Sequence, residues 1–434
     1  MTTMGERVRK KRKELGFTQE DLSGPNFSHA VISLIERDRA NPSLKTLEYI
    51  AEKLNVNVNY LLYGQEKQID LSNDITSKLA IIPSLLKLTK FKEAKKAIHE
   101  INEESVNTDQ LGEYIKLKGD IEVGLGNYSE AVSHYKNALI YTTLLNIETL
   151  IEVYTKISDC FINLKDYQLA IENAQQGLLL FRFYQSKVNP FTKLQLYYNL
   201  SLSYCRISEF KKGLQCISTA FAYMEETHCY YFQNLFYMLE GLAYLYTSKF
   251  KEGIKSTLMA IKHMEKSNST ELIGCHTNLG ILYREIRDYK KSLVNLEKSL
   301  ELSIMHNNSW NLLNTNLEIA LTYFLIGDYK SSEIICQKQL ENTNNRSELF
   351  VKITLLLAFI KFKSDSNEEA LELVIEAEKL SKAIGGYGLL SKVFILKSKI
   401  FNAQGNHQEA INALNTALNN CKGDSYDNLS FFLE

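Results

Sequence analysis

The sequence predicts an all-α protein in which a small N-terminal domain of five helices is followed by a long solenoid of two-helix units. Two observations predict this class. A small residue returns about every forty positions at the same place in a helical pattern, from Ala94 to Ala410. Only 4 prolines interrupt the 434 residues, as expected of a chain that is helical almost throughout.

The five N-terminal helices are predicted over 4–14, 18–23, 28–37, 43–54 and 57–62. Thr18 caps the second helix ahead of an acidic first turn, and Ser28 and Ser43 cap the third and fourth. All residues from Arg7 to Lys13 except Val8 are cations. A basic first helix of this kind is either a solvated face or part of a nucleic-acid-binding surface.

The order of residues over 4–64 resembles the Cro/repressor (XRE) family of helix-turn-helix domains. The matching motifs are R-x-x-L-G-F-T-Q-x-x-L from Arg12, S-x-x-x-I-S-x-I-E from Ser28 and N-P-S-x-x-T-L-x-x-I-A from Asn41. The turn before the third helix is one residue shorter than in lambdoid repressors, and Asp38 stands where glycine is usual. These departures leave the rotation of the third helix open.

The resemblance implies that Arg12 pairs with Glu36, that Gln19 contacts a phosphate, and that the third helix lies in the major groove. Its exposed N-terminal side chains are expected at base edges, with His29 on a guanine or a phosphate and Ala30 on a thymine methyl. Cations nearby are expected on phosphates. An inert histidine is the equally open alternative for His29. The complete predicted DNA-binding set is Arg9, Arg12, Gln19, Ser28, His29, Ala30, Ser33, Arg37, Arg39 and Lys45.

The unit that follows resembles the tetratricopeptide repeat. Residues 278–283, N-L-G-I-L-Y, show the leucine, small and aromatic pattern of helix A, and helix B carries a small anchor with another small residue seven positions later. The resemblance implies a right-handed superhelical solenoid of about nine repeats over 80–434, joined by a linker at 67–79 to the domain at 1–66. The helix B anchors are Ala94, Ala131, Ala170, Gly213, Gly253, Ser292, Ser332, Ala370 and Ala410.

Composition indicates a cytoplasmic protein. The net charge of -1 gives no general attraction to nucleic acid or membrane. The 7 cysteines form no CxxC pair, which favours buried reduced thiols over a disulfide or zinc framework. No apolar run is long enough to span a membrane. Nucleotide-binding, metalloprotease and hydrolase motifs are absent from the sequence, so we predict no catalytic residue, metal or cofactor.

A repressor-type domain joined to such a solenoid resembles the RNPP group of peptide-pheromone receptors of Gram-positive bacteria. This implies a quorum-sensing transcription regulator that binds double-stranded operator DNA and a short signalling peptide. We expect a homodimer or higher oligomer, because a single helix-turn-helix reads only a half-site. Two alternatives remain. The repeats bind a response regulator, as in Rap proteins, or the effector is not a peptide.

Helix A residues line the concave face of such solenoids, and an extended peptide needs side chains that both donate and accept hydrogen bonds there. With the small residue of helix A as position 8, positions 2, 5, 6, 9, 12 and 13 are expected to face the groove. For any single residue, a solvated helix surface is the alternative interpretation. The predicted peptide-binding set is Gln195, Tyr198, Asn199, Arg206, Thr277, Asn278, Arg284, Asn314 and Glu318.

Overall fold

The computed structural model describes residues 3–24, 29–40, 42, 44–54, 56, 58–63, 75–142, 147–183, 189–264, 269–342, 347–385 and 387–420. The regular elements in these ranges are helices, which confirms the predicted all-α class. The chain forms two compact units, Met1–Leu125 and Gly126–Glu434. Among the helices so described, none is long and apolar enough to cross a membrane.

The N-terminal domain contains α1 (Met4–Glu14), α2 (His29–Glu36), α3 (Leu44–Lys53) and α4 (Val58–Tyr63). The expected helix over 18–23 is wrong: residues 19–22 form a turn in which the Ser23 amide donates to the Glu20 carbonyl at 3.0 Å. Thr18 and Asp21 bond to each other as in a helix start, with the Thr18 amide 2.7 Å from the Asp21 carboxylate. A segment as short as 18–23 forms too few helical hydrogen bonds to offset the cost of helix nucleation.

The core of this domain joins all four helices. Gly5 brings α1 so close to the carbonyl of Ile35 on α2 that no side chain fits between them. Arg7 ties α1 to α4, since its Nε donates to the Leu61 carbonyl at 2.9 Å. Asp38, which replaces the usual glycine, has φ 56° and accepts a hydrogen bond from the Gly5 amide at 2.9 Å. The buried core residues are Val8, Leu22, Ile32, Ile35, Leu47, Ile50, Ala51, Leu54 and Leu61.

Nine helix pairs follow in the described part of the repeat region, and a 3-10 turn at Glu103–Ser105 precedes the second pair. The first helices, called A, are α5 (Ile75–Lys87), α7 (Thr108–Gly124), α9 (Ile147–Asn163), α11 (Pro190–Arg206), α13 (Gln233–Tyr246), α15 (Glu271–Glu285), α17 (Ser309–Ile326), α19 (Glu348–Lys363) and α21 (Tyr387–Ala403). The second helices, called B, are α6 (Phe91–His99), α8 (Tyr128–Tyr141), α10 (Tyr167–Phe183), α12 (Phe210–Thr227), α14 (Phe250–Met264), α16 (Tyr289–Met305), α18 (Tyr329–Asn342), α20 (Asn367–Ala383) and α22 (His407–Asn420).

The predicted small residues lie where helices A and B of one unit meet. A Cβ atom on Gly280 of α15 would stand 2.6 Å from Leu296 Cγ on α16, closer than side chains tolerate. Serine at the same position of helix A adds a hydrogen bond, because Ser158 Oγ donates to the Ala170 carbonyl at 2.9 Å. Close packing therefore explains the repeated small residues.

The turn between helices A and B has the same backbone conformation in every pair. The residue five positions before each anchor has a positive φ, for example 62° at Lys165 and 90° at Gly327. The amide of Glu209 then donates to the Tyr204 carbonyl at 2.8 Å, which is the bond pattern that closes a helix through a left-handed residue. The nine residues are Thr89, Gly126, Lys165, Ser208, Ser248, Arg287, Gly327, Asp365 and Gly405.

Helices A form the inner layer of the second unit. From α9 to α21, each helix A contacts the next helix A along the stack as well as its neighbouring helices B. Closer spacing in one layer of a solenoid makes that layer the concave side. The exposed polar residues of helices A are therefore the candidates for a ligand site on the concave side.

Candidate functional site

Helix α2 presents a polar N-terminal face and an apolar inner face. Ile32 and Ile35 are buried in the domain core, whereas His29 and Ala30 are exposed and Ser33 is partly exposed. The N-terminal side chains of the helix are therefore exposed, as expected. Ser28 lies outside the described residues. Base contacts by these side chains stay predictions.

A three-residue network fixes the end of α2 to α1. Arg12 Nε lies 2.5 Å from Glu36 Oε1 and Arg12 Nη2 lies 2.9 Å from Glu36 Oε2, which confirms the expected pair. Gln19 Nε2 donates to Glu36 Oε2 at 2.8 Å. Burial acts to raise the pKa of Glu36, but these hydrogen bonds and the Arg12 charge outweigh it and hold the pKa below its ordinary value. Glu36 thereby stays ionised and orients α2.

The cations of the predicted DNA-binding set differ in exposure and in partners. Arg9, Arg37 and Arg39 are exposed, as a phosphate contact requires. Arg12 is committed to the fold, because besides Glu36 its Nη1 donates to the Phe17 carbonyl at 2.7 Å. Lys45 belongs to α3, and its side chain lies outside the described part of the chain.

A polar cluster joins α9 and α11 on the inner layer. Gln195 Nε2 donates to Asp159 Oδ2 and Asn199 Nδ2 donates to Asp159 Oδ1, both at 2.7 Å. Asn199 also donates to Ser158 Oγ at 3.3 Å. Burial raises the pKa of Asp159 to about 6, although the hydrogen bonds from Asn199 and Gln195 and the charge of Lys156 oppose this shift. The cluster therefore holds a carboxyl group that titrates near neutral pH.

This cluster forms one wall of a groove of about 440 Å³. Four of the lining residues, Glu152, Thr155, Lys156 and Asp159, occupy positions 2, 5, 6 and 9 of their helix A. These are among the positions of helix A that were expected to face the ligand. The predicted peptide-binding set contains no residue of α9, and therefore it missed Asp159. The groove is lined by Glu148, Glu152, Thr155, Lys156, Asp159, Asn189, Phe191, Thr192 and Gln195.

Aromatic side chains pack beside this groove. The ring of Tyr198 stacks on Phe232 with a centroid separation of 5.6 Å, and Phe191 meets Tyr231 edge to face at 4.3 Å. Burial raises the pKa of Tyr198 to about 12, so its hydroxyl stays a neutral group. Arg206, the last residue of α11, is exposed.

Three other residues of the predicted peptide-binding set are buried and bond to neighbouring helices of the repeats. Arg284 is 4% exposed and its Nη1 lies 2.6 Å from Oε2 of Glu318, which is 1% exposed. Thr277 is buried, with its hydroxyl 2.8 Å from Ser299 Oγ and 2.9 Å from the Ile273 carbonyl. Asn278 and Asn314 are partly buried. Contact of these five residues with a peptide remains a prediction, and only the two amides among them have exposed surface beyond a few per cent.

Within the described ranges, no three His, Cys, Asp or Glu side chains come together as a metal site. The sites of interest are therefore the polar face of α2 and the groove between α9 and α11.

Residues 8–61 match the family model described as Helix-turn-helix. The immunity repressor protein of Bacillus phage phi105 is 43% identical over 68 residues, which cover 15% of this chain and 46% of the repressor. The chain spans about half the length of the curated relatives it matches. The N-terminal segment is a helix-turn-helix domain, as its motifs predicted.

Two solved structures share the fold of most of the chain. The apo form of RapI aligns with a TM-score of 0.60 at 16% identity, covering 80% of this chain and 96% of that one. NprR in complex with its cognate peptide NprX aligns with a TM-score of 0.51 at 12% identity, covering 82% and 99%. At such identities the likeness concerns the fold alone, and it confirms the solenoid that the resemblance to the tetratricopeptide repeat implied.

Proposed function

We propose that this chain is a transcription regulator in which residues 1–66 bind operator DNA and the repeats bind a short extended peptide. The first repeat helix, α5, begins at Ile75, within the segment 67–79 that was predicted as a linker. Binding of the peptide changes DNA affinity or oligomeric state. The observation that carries the proposal is the groove between α9 and α11, in the same chain as a helix-turn-helix domain.

The geometry of α2 supports DNA binding. Its two inward isoleucines leave the opposite face free for a groove of DNA, and the Arg12–Glu36 pair holds that face in place. Arg9, Arg37 and Arg39 are exposed around it and supply positive charge for phosphates. A matched relative carries the name of a repressor, which agrees with this use. Because one such domain reads a half-site, we propose that the chain acts as a dimer on a palindrome.

The groove supports a peptide ligand because it offers both kinds of hydrogen-bonding group. Gln195 and Asn189 carry amides, which donate and accept as a peptide backbone requires. Three carboxylates, Glu148, Glu152 and Asp159, face one lysine, Lys156, so the groove favours a ligand with a cationic group. NprR, which shares the fold, holds its peptide NprX in the solved complex.

A cationic ligand would also interact favourably with the partly buried carboxyl group of Asp159. Asp159 pays a desolvation cost when ionised, which its raised pKa of about 6 reflects. An ammonium or guanidinium group placed beside it compensates the charge and favours the ionised form. We propose that Asp159 pairs with such a group on the peptide, while Gln195 and Asn199 orient the carboxylate.

The test uses the full chain in two selections. DNA duplexes are selected from a randomised DNA library. Peptides are selected from a random library of short peptides and identified by mass spectrometry. We expect recovered peptides to carry a cationic group, and their affinity, measured by calorimetry, to fall about tenfold or more in Asp159→Asn, a change near 1.4 kcal/mol. Lys298→Ala on α16, outside the groove, is the control.

Two results would contradict the proposal. If no peptide is retained while the chain captures an acidic response-regulator domain, the repeats serve a protein partner. If a selected peptide binds equally well to wild type and Asp159→Asn, the ligand lies elsewhere. A peptide that changes the footprint of the chain on a selected duplex would support the coupled function and its cytoplasmic signalling role.

A further inference from the structure

A second basic surface lies on α6, outside the helix-turn-helix domain. Five lysines fall between residues 87 and 96. Lys92, Lys96 and His99 follow one another at intervals of four and three residues, which places them on one face of the helix. All three are exposed. A shallow groove of about 550 Å³ runs along this face, lined by Lys92, Lys95, Lys96, His99 and Glu100.

Neighbouring carboxylates neutralise only part of this charge. Lys90 pairs with Glu93 at 3.1 Å, and Lys95 pairs with Glu122 of α7 at 2.8 Å. No ion pair joins Lys92 or Lys96 to any other residue of the described ranges. Glu100 is the one carboxylate among the residues that line the groove. The α6 face therefore keeps two uncompensated lysines.

The helix that carries them packs firmly against its neighbours within the unit Met1–Leu125. Ala94 is fully buried and Ile98 is 2% exposed on the opposite side of α6. Phe91 packs so closely against Gly124 of α7 that a Cβ atom on this glycine would overlap its ring. Because α6 is packed on its opposite side, the spacing between the lysines on its exposed face is fixed.

Double-stranded DNA is the partner whose charge fits this face. It carries about one negative charge per 1.7 Å of its axis, so several phosphates lie within reach of lysines about 6 Å apart. Lysine acts as a point charge without planar selectivity, which suits phosphates more than a specific carboxylate. An acidic protein surface offers fewer and less regular charges.

Chain connectivity brings this face within reach of bound DNA. Tyr63 ends α4 and Ile75 begins α5, so the connection spans at most about 40 Å at roughly 3.5 Å per residue. One turn of DNA is about 34 Å long. A connection of this length allows α6 to reach the DNA backbone that flanks a half-site.

We propose that Lys92 and Lys96 of α6, with His99, bind phosphates of the operator DNA that flanks the half-site contacted by α2. This inference rests on the proposed DNA-binding function, and it adds a second contact surface outside the helix-turn-helix domain. The contact is independent of base sequence, because it involves phosphates alone.

The chain supplies a matched control. Lys251 and Lys255 on α14 occupy the same two positions relative to their anchor, Gly253, as Lys92 and Lys96 do relative to Ala94. Both are exposed, and neither has an ion pair with the residues that are described. Lys251→Gln with Lys255→Gln therefore removes the same charge from the same kind of helix position in a distant repeat.

The experiment measures binding of the full chain to two duplexes over a range of salt concentrations. Both contain the core selected by wild type, and one is extended by about one helical turn, roughly 10 bp, on each side. We expect wild type to bind the extended duplex more tightly. Lys92→Gln with Lys96→Gln should lose this advantage, bind the extended duplex about tenfold more weakly, and lower the salt slope by about 2.

The outcomes separate the two proposals. The α6 contact is overturned if the α6 double variant matches the α14 double variant on both duplexes while wild type still selects its core. That result would leave an acidic protein as the ligand class for the lysine face. If wild type selects no core at all, the DNA-binding function fails first, and the α6 contact fails with it. The charge-conserving variant Lys92→Arg with Lys96→Arg should bind both duplexes as wild type does, because the contact depends on positive charge.

Discussion

Arg284 and Glu318 link two neighbouring helices A through an ion pair that is almost completely shielded from water. Arg284 Nη1 lies 2.6 Å from the Glu318 carboxylate and 3.3 Å from the Glu318 carbonyl. The pair joins α15 to α17 and skips the helix B between them. Two polar groups predicted to hold a ligand are thus part of the contact between successive repeats.

Removal of one partner should destabilise the stack strongly. Glu318→Leu leaves the Arg284 guanidinium charged and buried, and we expect a loss of about 3–5 kcal/mol in free energy of unfolding. The double variant Arg284→Met with Glu318→Leu should recover most of this loss, because the two buried charges are removed together; Glu285, 3.8 Å from Arg284 Nε, is more exposed than either. Urea unfolding followed by circular dichroism measures both. Lys291→Met breaks the exposed pair with Asp288 and should cost far less, because water screens that pair. Equal losses in Glu318→Leu and Lys291→Met would show that the buried pair is not important for stability.

Asp159 should make the stability of the second unit depend on pH. Its pKa rises from 3.8 to about 6 on folding because of burial, so the folded state holds the proton more tightly. Stability contributed by this group therefore falls as pH rises from about 4 to about 6, and then levels off. Asp159→Asn should flatten this region and raise stability at pH 8 by about 1–2 kcal/mol, since Asp159 is only partly buried. Thermal unfolding across this range provides the measurement.

Asn199→Ala is the companion variant for Asp159. It removes a hydrogen bond that stabilises the ionised carboxylate, so the falling region should extend to higher pH. A profile that is identical in wild type, Asp159→Asn and Asn199→Ala would rule out Asp159 as the titrating group.

The same glycine substitution should have opposite effects at two positions. Gly327 has φ 90° in the turn between α17 and α18, where alanine is strained, so Gly327→Ala should cost about 1 kcal/mol or more. Gly274 lies inside α15 with no atom near its missing Cβ, so Gly274→Ala should stabilise by roughly 0.5–1 kcal/mol. Chemical unfolding of both variants checks the sign. A stabilising Gly327→Ala would contradict the left-handed turn.

On DNA, the exposed residues around α2 should separate into two kinds. Arg37→Ala should weaken binding to all duplexes and reduce the salt slope by about 1, because a phosphate contact is lost. His29→Ala should instead change the preference among selected duplexes with little change in the salt slope. Competition binding with a panel of selected and scrambled duplexes distinguishes the two. If neither variant alters affinity or preference, α2 is not the recognition helix.

The architecture could be predicted because its causes are local in sequence. Anchors such as Gly253 and Ser292 mark places where two backbones touch, and this requirement repeats in every unit. The short helix at 18–23 could not be separated from a turn, since Thr18 and Asp21 make the same cap in both.

The depth of each side chain was less accessible to prediction. Position within helix A gives the direction of a side chain, and Gln195 lines the groove between α9 and α11. Thr277 and Arg284 have equally suitable positions but are buried: Thr277 bonds to Ser299 of α16, and Arg284 pairs with Glu318 of α17. How closely successive repeats pack depends on contacts between units, which the pattern within one unit does not encode.

The two kinds of connection in the repeat region have different tolerances for change. The turn from helix A to helix B has three residues in eight of the nine described pairs and two between Ile326 and Tyr329, always with a left-handed residue at one place. The connection from helix B to the next helix A is longer in places and uneven in length, from His99–Thr108 to Met305–Ser309. Inserted residues should therefore be absorbed between units but not within them. A reporter loop or an affinity tag should therefore be inserted after a helix B, where it would leave the packing of helices A and B within each repeat unchanged.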